Sequence, residues 1–337
     1  MTEQQAPALS PSASPSASAP ASASAPAPAS ADPRLVVSVP SQALRDAVGT
    51  VPDGVELLVW DLASAAPRDA IDLVVPPYMS SDNPLGRLDG VRTRLVQSQS
   101  IGYDGVEPLL PRGTVFANAA SVHEASTAEL AVGLILASQR GIPDFVRAAE
   151  TGTWAFAPRQ SLADRRVLLI GYGGVGAAIE DRLLPFEVEV TRVASRARSD
   201  DRGPIHGIDE LPDLLPDAEI VIVVVPLTEH TSGLVDDAFL DALPDGALLV
   251  NVARGPVADT DALVRHATSG RIRLALDVTD PEPLGSDHAL WSLPNVLISP
   301  HVGGATSAML PRMGRLVSRQ IAALLAGEEP ENIVLRT

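Results

Sequence analysis

The fold is decided by the stretch Val167-Leu168-Leu169-Ile170-Gly171-Tyr172-Gly173-Gly174-Val175-Gly176. Its apolar start favours a buried strand, and the Gly-x-Gly-x-x-Gly phrase that follows is typical of a tight turn into a helix. In such a turn the first glycine allows the bend, the second lets bare backbone approach a pyrophosphate, and the third packs the helix closely. Residues 177–184 continue at helical spacing, and residues 188–193 resemble the next strand. The order strand, turn, helix, strand predicts a dinucleotide site.

The end of that second strand indicates which dinucleotide is bound. A carboxylate there would accept hydrogen bonds from a ribose 2′-hydroxyl, whereas arginine pairs with a 2′-phosphate. The chain instead has Ala194, followed by Ser195, Arg196 and Arg198. We therefore expect NADP(H) to be favoured, with NAD(H) still possible. The competing interpretation is that these arginines are solvated loop charges, since every basic residue of the chain is arginine.

Composition excludes several classes of protein. The 337 residues, 45% of them hydrophobic, can bury a large core and suggest two domains. The absence of cysteine excludes disulfides, thiolate metal sites and a cysteine nucleophile. A net charge of −17 argues against a nucleic-acid surface, and no apolar run is long enough to span a membrane. The histidines show no metal-ligand spacing, so no metal site is predicted.

Residues 2–32 differ from the rest of the chain because alanine, proline and serine dominate them. This composition cannot build a packed core, and it predicts a disordered tail over residues 1–32. The tail lacks the basic segment and the continuous apolar segment of a secretory signal. We therefore predict a cytoplasmic location.

From Pro33 onward, short apolar segments alternate with helical stretches, among them a long helix over residues 126–137 with Glu129 in its first turn and a last helix over residues 305–325. The first set of predicted strands is Leu35–Val39, Val55–Trp60, Asp72–Val75, Leu95–Ser98 and Thr114–Asn118. The second set, after Gly171, is Ile220–Val225, Ala247–Asn251, Arg273–Leu276 and Val296–Ile298. This alternation predicts the α/β class, with two doubly wound parallel-sheet domains, Rossmann-like or flavodoxin-like, and a cleft between them.

Polar side chains follow successive strands of the second set, at the edge where ligands collect in open α/β sheets. Arg254 offers a planar guanidinium that suits a carboxylate and polarises a neighbouring carbonyl. His301 is suited to the proton that accompanies hydride transfer, and Glu282 would fix its ring. Each residue alone has a structural explanation, but their joint placement predicts a catalytic site.

With these residues in place, the chain from about Pro33 to Val334 resembles the D-isomer-specific 2-hydroxyacid dehydrogenases. The matching phrases are Ile170–Gly176, Val225–Thr228, Asn251–Gly255, Leu276–Val278, Glu282–Leu284 and Ser299–Gly304. The resemblance implies that Arg254 binds a 2-oxo acid, that His301 is the acid/base, and that Glu282 orients His301. It also implies that backbone N–H groups of Ser100, Ile101 and Gly102 hold the substrate carboxylate.

The resemblance further implies a set of cofactor contacts and an arrangement of domains. The contacts expected are Thr127, Gly171, Tyr172, Gly173, Gly174, Val175, Gly176, Ser195, Arg196, Arg198, Val225, Pro226, Thr231, Val252, Ala253, Asp277 and Gly303. Asp277 is expected to approach the nicotinamide carboxamide. A substrate domain would comprise residues 33–125 plus 306–337 around a cofactor domain of residues 126–305. Family members are usually homodimers.

Within the family, the chain looks most like the glyoxylate/hydroxypyruvate reductase branch, which reduces small 2-oxo acids to D-2-hydroxy acids. Two positions depart from the family pattern. Ala194 replaces the acidic residue that selects NAD, and Glu187 stands where glycine is usual, without an evident functional meaning. The alternative from another class of protein is a dinucleotide-sensing corepressor on the same scaffold, which would bind the cofactor tightly but reduce 2-oxo acids poorly.

Overall fold

The computed structural model describes residues 34–79 and 84–337, so the predicted tail lies outside the described residues. The strands are β1 (Leu35–Val39), β2 (Val55–Val59), β3 (Leu73–Val74), β4 (Leu95–Gln97), β5 (Val115–Ala117), β6 (Arg166–Ile170), β7 (Glu189–Ala194), β8 (Arg198–Asp200), β9 (Gly203–Gly207), β10 (Ile220–Val223), β11 (Leu248–Asn251), β12 (Arg273–Leu276), β13 (Val296–Ile298) and β14 (Ile333–Arg336). The helices are α1 (Gln42–Val48), α2 (Glu124–Arg140), α3 (Ile142–Glu150), α4 (Gly174–Leu183), α5 (Leu211–Leu214), α6 (Asp237–Ala242), α7 (Thr260–Thr268) and α8 (Met309–Ala326). None of the helices in this described part is long and apolar enough to cross a membrane.

The first sheet has six strands in the order β14-β5-β4-β3-β1-β2. All neighbours are parallel except β14, which pairs antiparallel with β5. Helix α8 returns to this sheet and packs on α1 so closely that a Cβ on Gly314 would lie 2.3 Å from the Ala47 carbonyl oxygen. Met313, Leu316 and Val317 of α8 are buried in the core of this sheet. The end of the chain therefore completes a sheet that the first strands began.

The second sheet has eight strands in the order β13-β12-β11-β10-β6-β7-β9-β8. Successive residues of β6 belong to different cores: Leu168 and Ile170 lie in one, Val167 and Leu169 in the other. Burial on both faces explains why the strand is continuously apolar instead of alternating. The strand order reverses between β6 and β10, and such a reversal opens a crevice at the carboxyl ends of the strands.

The predicted α/β class with two parallel-dominated sheets is confirmed. Two helix boundaries were wrong: α2 begins at Glu124, which places Glu129 beyond its first turn, and α8 begins at Met309. The hairpin formed by β8 and β9 and the edge strand β14 were not predicted. These edge elements are short or polar, so they lack the apolar run that identifies a central strand.

The backbone conformation at Glu187 explains why glycine is usual at this position in the family. Its backbone is left-handed, with φ of 61°, at the end of the turn that follows α4. For a residue with a Cβ this conformation costs roughly 1–2 kcal/mol, whereas glycine adopts it freely. Glycine is therefore favoured at this position for the backbone conformation, and the carboxylate of Glu187 needs no role in chemistry.

Candidate active site

The Gly-rich turn between β6 and α4 has the geometry of an anion cradle. Gly171 has φ of +107°, and a Cβ there would lie 2.7 Å from the backbone of Val224. A Cβ on Gly176 would lie 2.2 Å from the carbonyl oxygen of Gly171, which forces close packing of α4 on the turn. At Gly173, by contrast, a Cβ would meet only open space. Bare backbone thus faces a free volume at the N-terminus of α4, where backbone N–H groups favour an anion, so the residues present fit a dinucleotide pyrophosphate.

The tip of β7 carries the residues predicted to select the cofactor. Ser195, Arg196 and Arg198 are exposed there, directly after the buried Ala194. The Nη2 atom of Arg198 donates to the carbonyl oxygen of Tyr172 at 2.8 Å. One of the two predicted phosphate ligands therefore already contacts the Gly-rich turn, and Arg196 projects from the same tip.

Five further predicted cofactor contacts lie after β10, the neighbour of β6, and after β11, the next strand in the sheet. Val225 and Pro226 begin the loop after β10, and the hydroxyl of Thr231 fixes that loop by donating to the Pro226 carbonyl at 2.6 Å and accepting from the Thr228 N–H at 2.8 Å. After β11, Val252 and Ala253 are buried. Both loops border the crevice at the reversal of strand order.

His301 and Glu282 form a hydrogen-bonded pair. The Nδ1 atom of His301 lies 2.6 Å from Oε1 of Glu282. Since a carboxylate only accepts, Nδ1 carries the proton and Nε2 is the ring atom left for a substrate. The backbone of His301 is left-handed, with φ of 51°, and such strain in a residue with a Cβ persists where the surroundings impose it. The ring is only 23% exposed.

Asp277 is the group that imposes this conformation. It is 3% exposed, and its carboxylate accepts hydrogen bonds from the Ser299 hydroxyl at 2.6 Å and from the N–H groups of Val302 and Gly303, both at 2.9 Å. Its backbone carbonyl also accepts from the His301 N–H at 2.7 Å. Asp277 therefore anchors the loop that presents His301, while its expected approach to the nicotinamide remains a prediction. Thr127 borders this loop, because a Cβ on Gly303 would lie 3.4 Å from its hydroxyl oxygen.

Arg254 reaches from the second sheet to the loop after β4. Its Nε donates to Oδ1 of Asp104 at 3.1 Å, and its Nη1 donates to the Ala253 carbonyl at 2.7 Å. A Cβ on Gly102 would lie 1.5 Å from Nη2, so only glycine leaves room for the guanidinium. The loop after β4 is itself fixed, since the side-chain amide of Asn118 donates to the backbone carbonyl of Ile101 at 2.8 Å. Arg254 and the predicted carboxylate-binding loop are therefore in direct contact.

The carbonyl of Ser100, in the same loop, accepts from the N–H of Ala119 at 2.9 Å. Asp104 was not assigned a role from the sequence. Its only signal was its position at the end of the phrase that begins at Ser100.

Tyr78 and His123 also border the site. A Cβ on Gly304 would lie 2.7 Å from both the Tyr78 hydroxyl and Nδ1 of His123, and the two rings stack with centroids 5.6 Å apart. Burial raises the pKa of Tyr78, the charge of Asp277 adds to the increase, and Arg254 opposes it. The Tyr78 hydroxyl therefore stays neutral at physiological pH near the two charged groups. Met79, next to Tyr78, and Trp291 are half exposed.

The structure thus assembles two parts of the predicted site. Glu282 is joined to His301, and Arg254 is joined to the Ser100–Asp104 loop. Arg254 follows β11 and His301 follows β13, with only β12 between those strands. Among residues 34–79 and 84–337, no cluster of acidic and histidine side chains could hold a metal ion.

A dinucleotide cradle, a histidine–carboxylate pair and an arginine at one edge of a sheet define a pyridine-nucleotide-dependent oxidoreductase. Comparison with known families narrows this class. The family model described as D-isomer specific 2-hydroxyacid dehydrogenase, NAD binding domain, matches residues 132–303. The chain belongs to the D-isomer-specific 2-hydroxyacid dehydrogenase family, whose members are NAD(P)-dependent enzymes.

Individual relatives agree with this assignment. The chain is 34% identical to a glyoxylate reductase of Thermofilum pendens over 72% of its own length and 74% of the relative's. It is 31% identical to the human glyoxylate reductase/hydroxypyruvate reductase, over 71% and 76% of the two lengths. The crystal structure of a D-isomer specific 2-hydroxyacid dehydrogenase from Xanthobacter autotrophicus Py2, in complex with NADPH and MES, superposes with a TM-score of 0.77 at 27% identity, covering 89% of this chain and 98% of the other. The family resemblance predicted from the sequence, including the glyoxylate/hydroxypyruvate reductase branch, is confirmed.

Proposed function

We propose that this enzyme reduces a small 2-oxo acid of the glyoxylate or hydroxypyruvate type to the D-2-hydroxy acid, with NADPH favoured over NADH. The observation that carries the proposal is the His301–Glu282 pair, 2.6 Å apart, at the same sheet edge as an arginine that contacts the Ser100–Gly102 loop. Supporting this, three relatives that match over 72–73% of the chain are named glyoxylate reductases.

Arg254 and the loop after β4 are proposed to bind the substrate carboxylate. The guanidinium supplies a planar fork of donors, and Gly102 of the loop lies directly against it. The Ser100 N–H already donates to the Ser98 hydroxyl at 2.9 Å, so the N–H groups of Ile101 and Gly102 are the proposed backbone donors. A carboxylate held at two points fixes the axis of the bond between the carboxylate and the keto carbon, and the proposed contacts of His301 and Arg254 with the keto oxygen fix the rotation about that bond. Binding therefore decides which face of the keto carbon is presented, which is the origin of a D product.

His301 is proposed to deliver the proton. Its Nδ1 is engaged by Glu282, so Nε2 is the atom that donates to the oxygen of the keto group as negative charge develops there. When bound, the reduced nicotinamide supplies the hydride. Arg254 stabilises the same oxygen, because a fixed cation in a site closed to water stabilises charge more strongly than water does.

Exclusion of water is proposed to come from closure of two domains. Residues 33–125 with 306–337 would form the substrate domain, and residues 126–305 the cofactor domain. Two contacts across this division are the hydrogen bond between Arg254 and Asp104 and the one between the Ser126 and Thr306 hydroxyls at 2.8 Å. Both can be remade after a small rotation, which is the requirement for a cleft that opens and closes.

A panel of 2-oxo acids, each tested with NADPH and NADH, measures this function. Glyoxylate and hydroxypyruvate are expected to be reduced with the highest kcat/KM, followed by pyruvate, with oxaloacetate and a bulky branched 2-oxo acid slowest. A strong preference for the bulky acid would contradict the proposed substrate class. Tight dinucleotide binding without turnover of any acid would favour the corepressor alternative.

Cofactor preference is tested in the same assay with Arg196→Ser. Removing a guanidinium from a 2′-phosphate is expected to weaken NADPH binding by roughly ten- to a hundredfold while leaving NADH binding within about twofold. Arg87→Ser is a matched control, since Arg87 is an exposed arginine in the short helical turn Pro84–Leu88, which lies between β3 and β4 and contains no predicted cofactor contact. If Arg196→Ser lost affinity for NADPH and NADH equally, or lost affinity for neither, Arg196 would not contact the 2′-phosphate.

We also propose that the enzyme is a homodimer, because a large apolar surface is exposed on and after α3. Ile142, Phe145 and Val146 are 41–59% exposed, and Trp154 and Phe156 are 94% and 86% exposed. Large apolar side chains exposed within one short segment of chain are typical of interfaces, and the family resemblance makes a second copy the expected partner. Sedimentation should show a dimer for the wild type and a monomer after Trp154→Ser with Phe156→Ser. A monomeric wild type would contradict the proposal.

A further inference from the structure

Tyr172, the second residue of the Gly-rich phrase, has a side chain with unusual partners. Its hydroxyl donates to Oε2 of Glu180 and accepts from Nη1 of Arg192 at 3.3 Å. The guanidinium of Arg192 also lies 5.1 Å from the centre of the tyrosine ring, within the range of a cation–π contact. Glu180 belongs to α4 and Arg192 to β7, so the tyrosine connects the turn to the elements on both sides of it.

Arg192 and Glu180 are both 4% exposed. The guanidinium lies 3.7 Å from Glu180, donates to Asp200 at 2.9 Å and to the Pro204 carbonyl at 3.1 Å. Burial alone lowers the pKa of Arg192, but bonds to Tyr172 and Asp200 outweigh burial and raise it overall. A buried ion pair contributes little net stability compared with apolar packing, because both charges lose hydration. The groups that Arg192 holds are therefore the better guide to its role.

Those groups belong to the hairpin of β8 and β9. Asp200 ends β8, and Pro204 lies in β9. Arg202, in the turn between them, donates to Glu180 at 2.7 Å and to Asp181 at 2.5 Å, so the hairpin is also tied to α4. The same hairpin begins at Arg198, whose side chain donates to the Tyr172 carbonyl at 2.8 Å. Tyr172 is consequently held at both ends, by its carbonyl and by its hydroxyl.

We propose that Arg192 and Glu180 are positioning residues that fix the Gly-rich turn and the β8–β9 hairpin against each other, and thereby set the affinity for the phosphates of the cofactor. The proposal rests on the proposed NADPH-dependent function. The Tyr172 hydroxyl orients the turn, which faces the pyrophosphate common to NADPH and NADH. The Arg192 bonds to Asp200 and Pro204 orient the hairpin next to Arg196 and Arg198, the proposed ligands of the 2′-phosphate that only NADPH carries.

Two variants separate these effects. Tyr172→Phe removes one oxygen and is expected to weaken NADPH and NADH binding equally, by about tenfold. Arg192→Met keeps the volume but frees the hairpin, and is expected to weaken NADPH and 2′,5′-ADP by about tenfold more than NADH. Calorimetry on the ligand-free protein gives these dissociation constants. In turnover, Arg192→Met should raise the KM for NADPH and leave kcat at saturating cofactor within about twofold, a split that a general loss of structure would not produce.

Arg265→Met is the matched control, because Arg265 of α7 makes an exposed ion pair with Asp237 of α6 at 2.5 Å, away from the Gly-rich turn and the hairpin. If Arg192→Met does not fold, as judged by circular dichroism, Asp200→Asn tests the same bond and should show the same selective loss for NADPH. The proposal would be overturned if Tyr172→Phe and Arg192→Met both bound the cofactors with wild-type affinity. It would also be overturned if Arg192→Met lost affinity for NADPH and for NADH equally. A wild type that binds neither dinucleotide would instead overturn the proposed function, so the two failures are distinct.

Discussion

His301→Ala is expected to lower kcat/KM for glyoxylate and hydroxypyruvate by about 10²- to 10⁴-fold, the range for loss of a general acid, while the variant still binds dinucleotide. The 2.6 Å bond to Glu282 engages Nδ1 of this ring, so Nε2 is the atom proposed to donate the proton. Dinucleotide binding should persist because the cradle between β6 and α4 does not include this side chain. Steady-state kinetics and calorimetry on the same preparation measure both quantities.

Glu282→Gln serves as the companion variant. Glutamine retains an oxygen that can accept from Nδ1, so the ring keeps its orientation but loses the neighbouring negative charge. The expected loss is smaller than for His301→Ala, and the double variant should be little worse than His301→Ala alone, since both residues act as one unit. If His301→Ala reduced glyoxylate at the wild-type rate, His301 would not be the acid.

Arg254→Leu is expected to lower kcat/KM by about a thousandfold, through both a higher KM for the 2-oxo acid and a lower kcat, because the carboxylate loses its charged partner and the charge that develops on the keto oxygen loses its cation. The affinity for NADPH should remain close to that of the wild type. Arg254→Lys is the informative control: it keeps the charge but loses the planar fork, and Gly102 leaves space shaped for a guanidinium.

The lysine variant should therefore recover only a small part of the lost activity. A wild-type KM in Arg254→Leu would place the substrate carboxylate elsewhere. Full activity in Arg254→Lys would show that charge alone is sufficient.

The sequence predicted those parts of the molecule that are specified by local patterns. The apolar run of β6 and the glycines after it identify the second sheet, because burial on both faces and close backbone approach leave few alternatives in residue type. Arg254, Glu282 and His301 could be named because each follows an apolar strand in a recognisable phrase.

Other features depend on contacts between distant segments and could not be predicted in this way. The bond between Asp104 and Arg254 spans 150 residues, and nothing near either residue indicates it. The β8–β9 hairpin is polar on its surface and is held by Arg192 instead of by an apolar pattern. The unusual φ of Glu187 is visible only in the backbone. Long-range pairing and backbone conformation are therefore the information that the structure adds.

The pairing of Arg254 with Asp104 also has a consequence for the valence of the acid. The guanidinium already has an internal counter-ion 3.1 Å away, so an incoming monoanion leaves this corner with one surplus negative charge, and a dianion leaves it with two. In a chain of net charge −17, no surrounding excess of cations offsets the second charge. Dicarboxylic keto acids should thus be discriminated against by Coulomb repulsion independently of their size, and the ratio of oxaloacetate to pyruvate turnover in the substrate panel measures that discrimination.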